Sequence, residues 1–466
     1  MSWAAEPKRL AALLPDGFAL GVATAATQIE GAVTAGGRGP STWDAFAAQP
    51  GRIVDGTTPE VTTDHFHRYR EDVQLMRDLG VDAYRFSIGW PRVQPDGAGP
   101  ASAEGLAFYD RLVDELLEQG IRPVATLFHW DMPEPLQAAG GWMTRDTASR
   151  FADFTALAAA ALGDRVDKWI TLNEPTTVTL NGYALGIHAP GEQLLFGALT
   201  AVHHQLLGHG LAVQALRAAS VAGEIGVTNV HSPVVPARRG FVTSQYTKVF
   251  DLVHNRIYAD PVLLGRYPKV PFLARKEFRA LTETDPADLA IIHQPIDFYG
   301  LNYYMPTRIA AGAPTDAATP DGDAEAMKEL PFHLAEWPEY PKTGFGWPIA
   351  PQFLAESLRD YVARYGDALP PVYITEGGAS FPDRVGPDGS VDDSARIEFL
   401  GDHIAAALSV EGVDLRGYFV WTLMDNWEWA AGFTERFGLV HVDFDSLERT
   451  PKASYHWLRK VIAARG

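Results

Sequence analysis

The feature that most constrains this chain is an alternation. Short runs rich in Val, Ile, Tyr and Phe alternate with longer stretches in which apolar residues recur every three or four positions. The short runs read as buried strands and the longer stretches as amphipathic helices. Residues 64–79 carry Phe66, Tyr69, Val73, Met76 and Leu79 at helical spacing, Gly80 follows as a C-cap, and "DAYRFSIGW" comes next. Residues 103–119 place Leu106, Tyr109, Leu112, Val113 and Leu116 on one face, before Gly120 and "RPVATLFHW". Helices around 149–162, 201–218, 353–365 and 394–409 lead into "KWITLNEP", "EIGVTNV", "PVYITEGG" and "LRGYFVWTLMDN". With "GFALGVATAA" at 17–26 and "IDFYGLNYY" at 296–304, the strands number eight.

Strand and helix in strict succession demand parallel pairing with right-handed crossovers. Eight such strands, with no Gly-rich dinucleotide fingerprint, predict an α/β fold of the (β/α)₈ barrel type, with long strand-to-helix loops, rather than a doubly wound sheet. Residues 1–466 are expected to form one domain, because barrels run well past the ~150 residues of an average domain. The Pro- and Gly-rich stretch 310–350 follows the sixth strand and is expected over the catalytic face, with its acidic run "DGDAEAMKE" solvated.

In such barrels the active site lies where the strands end. Two strands end on a glutamate: "WITLNEP" at Glu174 and "VYITEGG" at Glu376. Strands four and seven are expected to face one another across the barrel mouth. Two carboxyls converging there suit cleavage of a glycosidic bond, one protonating the leaving oxygen while the other attacks the anomeric carbon or activates water. The other strand ends carry amides and aromatics: Gln28, His129, Trp130, Asn173, Asn302, Tyr304, Trp421, Glu428 and Trp429. A sugar pocket needs aromatic platforms for ring faces and donors or acceptors for each hydroxyl. Singly, His129 or Asn302 reads equally well as a satisfied core polar group and Trp421 as packing; their concentration at strand exits favours a site.

Composition narrows the partners. A net charge of -19 argues against nucleic acid, and zero cysteines leave no disulfide, thiol nucleophile or zinc-finger spacing. No apolar run approaches the ~18 residues of a membrane span, and the N-terminal apolar stretch is broken by Pro15 and Asp16, too short for a signal segment. A cytoplasmic protein with no membrane partner is expected. His203, His204 and His209 lack metal-site spacing, and His65 and His67 would not share a helix face, so no metal is expected.

Together, "GVATAATQIEG", "YRFSIGWPR", "TLNEP", "NYY", "ITEGG", "DNWEWAAGF" and "RFGLVHVD" make the chain resemble glycoside hydrolase family 1, the β-glucosidase family, almost end to end. The resemblance implies retaining hydrolysis of β-glucosides or short oligosaccharides, extending to β-galactosides or β-fucosides, in cellulose and other carbohydrate breakdown, without a cofactor. It implies Glu174 as general acid/base and Glu376 as nucleophile, their carboxyls about 5–5.5 Å apart. It further implies Gln28, His129, Asn173, Glu428 and Trp429 as ligands of the non-reducing sugar, Trp421 as its platform, Arg85 and Tyr304 as partners of the nucleophile, and Trp347 as a wall of the leaving-group site. Members acting on 6-phosphorylated sugars carry a small hydroxyl residue, a Lys and a Tyr where this chain has Glu428, Glu435 and Phe437. Two carboxylates are therefore expected to face that position and to disfavour a phosphate. The chain departs from the usual pattern at Gly89, Gly377 and Trp427, and Asn is usual where Gly377 stands; replacing it with Asn is expected to be tolerated unless φ is positive there. The competing readings are a transglycosylase with the same residues, a 6-phospho-β-glucosidase, and a sugar-binding protein without catalysis, which would lack one carboxylate.

Overall fold

Strands covered on both faces need apolar residues on both, and the eight short runs supply them. In the computed structural model, which describes residues 2–271, 274–312, 327–328 and 330–465, they form a closed parallel barrel. Its strands are β1 Ala19–Ala23, β2 Ala83–Ser87, β3 Arg122–Phe128 and β4 Lys168–Asn173, then β5 Glu224–Val230, β6 Phe298–Asn302, β7 Val372–Gly377 and β8 Leu415–Trp421. They follow one another in order around the ring, and β1 closes it by pairing with both β2 and β8.

The helices fall within a few residues of their expected places: α1 His65–Leu79, α2 Ala103–Glu118, α3 Asp146–Leu162 and α4 Leu199–Ala218. After β5 come α5 Phe241–Asp251 and α6 Pro286–Ile292, then α7 Pro351–Tyr365, α8 Ser394–Leu408 and α9 Ala453–Ala463. Helix α2 buries Phe108, Tyr109, Leu112, Val113 and Leu116, and Ser102 caps it by accepting from Gly105 N. Gly80 ends α1 with φ 85°, a left-handed C-cap whose N–H reaches Met76 O.

Three apolar clusters result among the described residues. The largest fills the space between barrel and helices, and the smallest gathers Phe250 and Leu334 around Ile309, Met327 and Phe332; the second plugs the barrel with Val124, Ile170, Phe298, Tyr373 and Phe419 and rises toward the strand ends. Close packing there needs small neighbours: a Cβ on Gly226 would lie 2.6 Å from the Phe298 ring. Above this plug the interior turns polar, with Arg85, Asn173, Asn302 and Glu376 all buried.

β4 and β7 do not face one another. β5 and β6 lie between them, and β8 takes the place opposite β4. Glu174 and Glu376 thus sit on one side of the mouth, with the end of β6 between them. Of the stretch 310–350, residues 313–326 and 329, and with them most of the acidic run, lie outside the described residues. Its described parts continue strand Thr307–Ala311, form strand Phe332–Leu334 in a small sheet with Val234–Pro236, and bring Phe345 and Trp347 to the barrel mouth. Among the described residues no helix is long and apolar enough to cross a membrane.

Candidate active site

β4 ends at Asn173, and Glu174 then turns into the left-handed region with φ 43° and ψ 60°. Pro175 follows at the first helical position, where its missing N–H costs nothing. Glu174 N donates to Thr228 O at 2.9 Å, which ties the turn to β5. Trp130 (φ 77°) and Trp429 (φ 50°) share this unusual backbone. Each such residue costs on the order of 1 kcal/mol or more, and such strain concentrates at functional sites.

The two carboxyls have different company. Glu174 accepts from neutral donors, Asn302 Nδ2 at 2.7 Å and Thr177 Oγ1 at 2.8 Å. Burial, and then the charge of Glu376, raises its pKa to about 8, against the opposing hydrogen bonds. Glu376 accepts from the Arg85 guanidinium and from Tyr304 Oη at 2.6 Å. Burial, with Glu376 and Glu174 beside it, pushes the Tyr304 phenol well above its ordinary pKa, so Tyr304 stays a donor.

Arg85 is anchored on several sides. Besides Glu376 it donates to Thr375 O at 3.1 Å, Thr126 Oγ1 at 3.2 Å and Asn173 Oδ1 at 2.7 Å. Asn173 Oδ1 also accepts from Asn302 Nδ2 at 3.1 Å, so the Asn173 amide nitrogen faces His129 Nε2 at 2.9 Å. Burial, then Arg85, holds His129 well below its usual pKa. A neutral ring that accepts at Nε2 carries its proton on Nδ1, and that atom is buried without a protein partner. Gln28 shows the complementary case. Its Nε2 lies 3.1 Å from each of Asn426 Oδ1, Trp427 O and Glu428 Oε2, and its Oε1 is buried without a protein partner. One donor and one acceptor are thus left for a hydroxylated ligand.

The aromatic residues wall this chamber. The Trp429 ring lies 4.4 Å from Trp130 and 5.8 Å from His129, which stacks on Trp421 at 5.7 Å. Trp347 stacks on Phe345 at 4.7 Å and packs against Phe437 and Tyr304. The loop bearing Glu428 and Trp429 is held from below by buried charge pairs. Lys452 bridges Asp425 at 2.7 Å and Asp383 at 2.5 Å, while Arg436 holds Asp425 and Arg396 holds Asp383, each at 2.7 Å.

A cleft of about 880 Å³ opens onto this arrangement. His129, Trp130, Glu174, Tyr304 and Glu376 line it, as do Trp347, Trp421, Glu428, Trp429 and Phe437. Gln28, Asn173, Asn302 and Arg85 are wholly buried just behind that lining. Glu435 is not on the cleft wall, contrary to expectation; it turns toward Ser380 and Gly344, leaving Glu428 as the carboxylate of that pair in the cleft. Trp427 is buried edge-on against Trp43 at 5.8 Å. The helical histidines take protein partners: His203 meets Asp288 and Tyr267, His204 meets Trp142 O, and His209 meets Thr171.

Sequence reading missed Thr177, Phe345 and Trp43. A hydroxyl three residues after Glu174 was a usable signal, since Ser and Thr bond locally at such spacings. Phe345, two residues before Trp347, and Trp43, in a short helix near the start of the chain with its ring 4.6 Å from that of Trp429, offered none.

Residues 10–466 match the family model described as Glycosyl hydrolase family 1. Beta-glucosidase A of Acetivibrio thermocellus is 41% identical over 454 residues, covering 97% of this chain and 98% of that protein. The bifunctional beta-D-glucosidase/beta-D-fucosidase of Bifidobacterium breve is 43% identical over 469 residues, covering 97% and 98%. The structure of the beta-glucosidase from Thermotoga maritima in complex with glucoimidazole superposes with a TM-score of 0.89 at 40% identity, covering 97% of this chain and 99% of that one.

Proposed function

The chain belongs to glycosyl hydrolase family 1, and on that premise we propose that Glu174 and Glu376 are its catalytic pair. The enzyme hydrolyses terminal non-reducing β-D-glucosyl residues with retention of configuration. Glu376 attacks the anomeric carbon while protonated Glu174 gives its proton to the departing oxygen, leaving a covalent glycosyl-enzyme. Glu174, now a carboxylate, takes a proton from water as that water attacks the same carbon and releases Glu376.

The asymmetry of partners carries this assignment. Glu174, buried among neutral donors with a pKa raised to about 8, suits a group that must hold a proton near neutral pH. Glu376, between a guanidinium and a phenol, suits a nucleophile that must stay charged and fixed in direction. Neutralising Glu376 in the intermediate also removes the charge that helps hold the proton on Glu174, which favours its switch from acid to base. Arg85 and Tyr304 act as positioning residues. Gln28, His129, Asn173 and Glu428 bind hydroxyls of the glucosyl unit, with Trp421 and Trp429 against its faces. Asn302 joins them from behind Glu174, and Trp130, Trp347 and Phe437 shape the walls.

The reading takes residues 1–466 as one catalytic domain, supported by the pairing of the first barrel strand with the last. It extends to β-fucosides, which the name of the Bifidobacterium breve relative carries, and to β-galactosides. The cytoplasmic location and the place in cellulose breakdown stand within the same proposal; cell fractionation and turnover of cellobiose test them. The decisive experiment is NMR of early hydrolysis. β-Glucose should appear before mutarotation, and an α-first product would remove Glu376 from its role.

A further inference from the structure

The turn that carries Glu428 and Trp429 hangs between two anchors. The buried charge pairs hold Asp425 and Arg436, which flank it. Residues 427–433 lie between these anchors, and the loop after β1 grips them from the other side. Val54 N donates to Ala430 O at 2.8 Å, and Phe433 N donates to Asp55 Oδ2 at 2.7 Å. Gly432 has φ 62°, and a Cβ on it would lie 2.0 Å from Asp55 Oδ1, so this close approach needs glycine.

Trp427, one of the positions where the chain departs from the family pattern, completes the grip. Its ring is buried edge-on against Trp43, which in turn lies 4.6 Å from Trp429. Its Nε1 donates to Thr57 Oγ1 at 3.0 Å, and Thr57 Oγ1 donates to Asp55 Oδ1 at 2.6 Å. An indole only donates and a carboxylate only accepts, so the hydroxyl between them is used in both directions and fixed. The main chain of Trp427 meanwhile clasps Gln28. Trp427 N donates to Gln28 O at 3.2 Å, and Gln28 Nε2 donates to Trp427 O at 3.1 Å. The same Nε2 reaches Glu428 Oε2 at 3.1 Å. One residue thus ties the outer loop to both groups assigned to sugar hydroxyls at this end of the chamber. None of the side chains of Asp55, Thr57 and Trp427 lines the cleft, so they act through Glu428 and not on the substrate.

We propose that the hydrogen-bonded chain from Trp427 through Thr57 to Asp55 is a positioning device for Glu428, holding its carboxylate toward the 6-hydroxyl of the glucosyl unit, and that it sets how strongly the enzyme prefers glucosides over 6-deoxy sugars. The proposal rests on the catalytic reading above, in which Glu428 faces that end of the sugar. A carboxylate already held in place loses little freedom when the hydroxyl arrives; one on a loosened turn must be ordered at that moment. His129 and Asn173 are fixed by a separate network around Arg85 and Asn302, so their contacts to the sugar stay.

The test is kcat/KM for p-nitrophenyl β-glucoside and its 6-deoxy analogue, with the unaltered enzyme, Trp427→Phe, Thr57→Val and the double variant. The unaltered enzyme should prefer the glucoside by about tenfold or more, as for a hydrogen bond to a charged group. Trp427→Phe keeps a buried ring and removes only the donor; it and Thr57→Val should each lower the preference several-fold. The loss should fall on the glucoside, with the 6-deoxy substrate turned over nearly as before. The double variant should be no worse than either single one, because both remove the same hydrogen bond. Thr57 is partly exposed, which keeps the test readable if Trp427→Phe folds poorly. No preference for the 6-hydroxyl, a preference unmoved in both variants, equal losses on both substrates, or additive losses in the double variant overturns the proposal. An unaltered enzyme that turns over neither substrate would instead overturn the glucosidase reading.

Discussion

Asn302 Nδ2 lies 2.7 Å from Glu174 Oε1, so the carboxyl at the end of β4 is held by an amide from the end of β6. The donor is neutral, and it stabilises the carboxylate without adding the positive charge that Arg85 brings to Glu376. Two glutamates at like positions on like strands thereby have different company, and the one among neutral donors has its pKa raised to about 8.

The pH profile should show this. With the Glu174 pKa raised to about 8, kcat/KM should fall as pH rises through that value, because the acid form is lost. Asn302→Ala removes a hydrogen bond that favours the carboxylate, so the basic limb should move to higher pH. A limb that stays put or moves down would show that another group titrates there.

The two glutamates should fail differently. Glu376→Ala should lose nearly all turnover on every substrate, since no glycosyl-enzyme forms. Glu174→Ala should lose on the order of 10²–10⁴-fold on glucosides with poor leaving groups and far less on activated aryl glucosides. Azide should restore the second variant and yield the β-glycosyl azide. Equal losses on both substrate classes would contradict the roles.

Gly377 is where structure changes the sequence expectation. Its φ is not left-handed, so the backbone alone would accept Asn. A Cβ there, however, would lie 2.2 Å from Tyr418 Oη and 2.7 Å from its Cζ, and Tyr418 is buried. Gly377→Ala should therefore destabilise by about 1–3 kcal/mol, the usual cost of overpacking. Adding Tyr418→Phe should recover part of the loss. Chemical denaturation of the single and double variants measures this, and additive effects would rule out the contact.

The cleft should reject a 6-phosphate. Glu428 on its wall accepts from Gln28 and would oppose a dianion where Trp429 also takes up space. kcat/KM for p-nitrophenyl β-glucoside should exceed that for its 6-phosphate by on the order of 10²-fold or more. Preference for the phosphate would overturn this reading of Glu428.

The sequence by itself determined the barrel and both carboxyls. Strand and helix periods are local, and Glu174 and Glu376 are covalently fixed to the ends of the strands that carry them, so neither needed a fold to be found. Thr177 was within the same local reach. The partners were not legible, because they arrive from far along the chain: Asn302 is 128 residues from Glu174 and Arg85 is 291 from Glu376. That β5 and β6 separate β4 from β7 already follows from eight strands in sequential order around a ring, but it was not legible that Glu435 turns away from the cleft or that Tyr418 fills the space beside Gly377. Packing decides these, and with them the burial that makes one glutamate hold its proton while the other meets a guanidinium. Desolvation and Coulomb interactions depend on distance in space, which only the closed barrel sets.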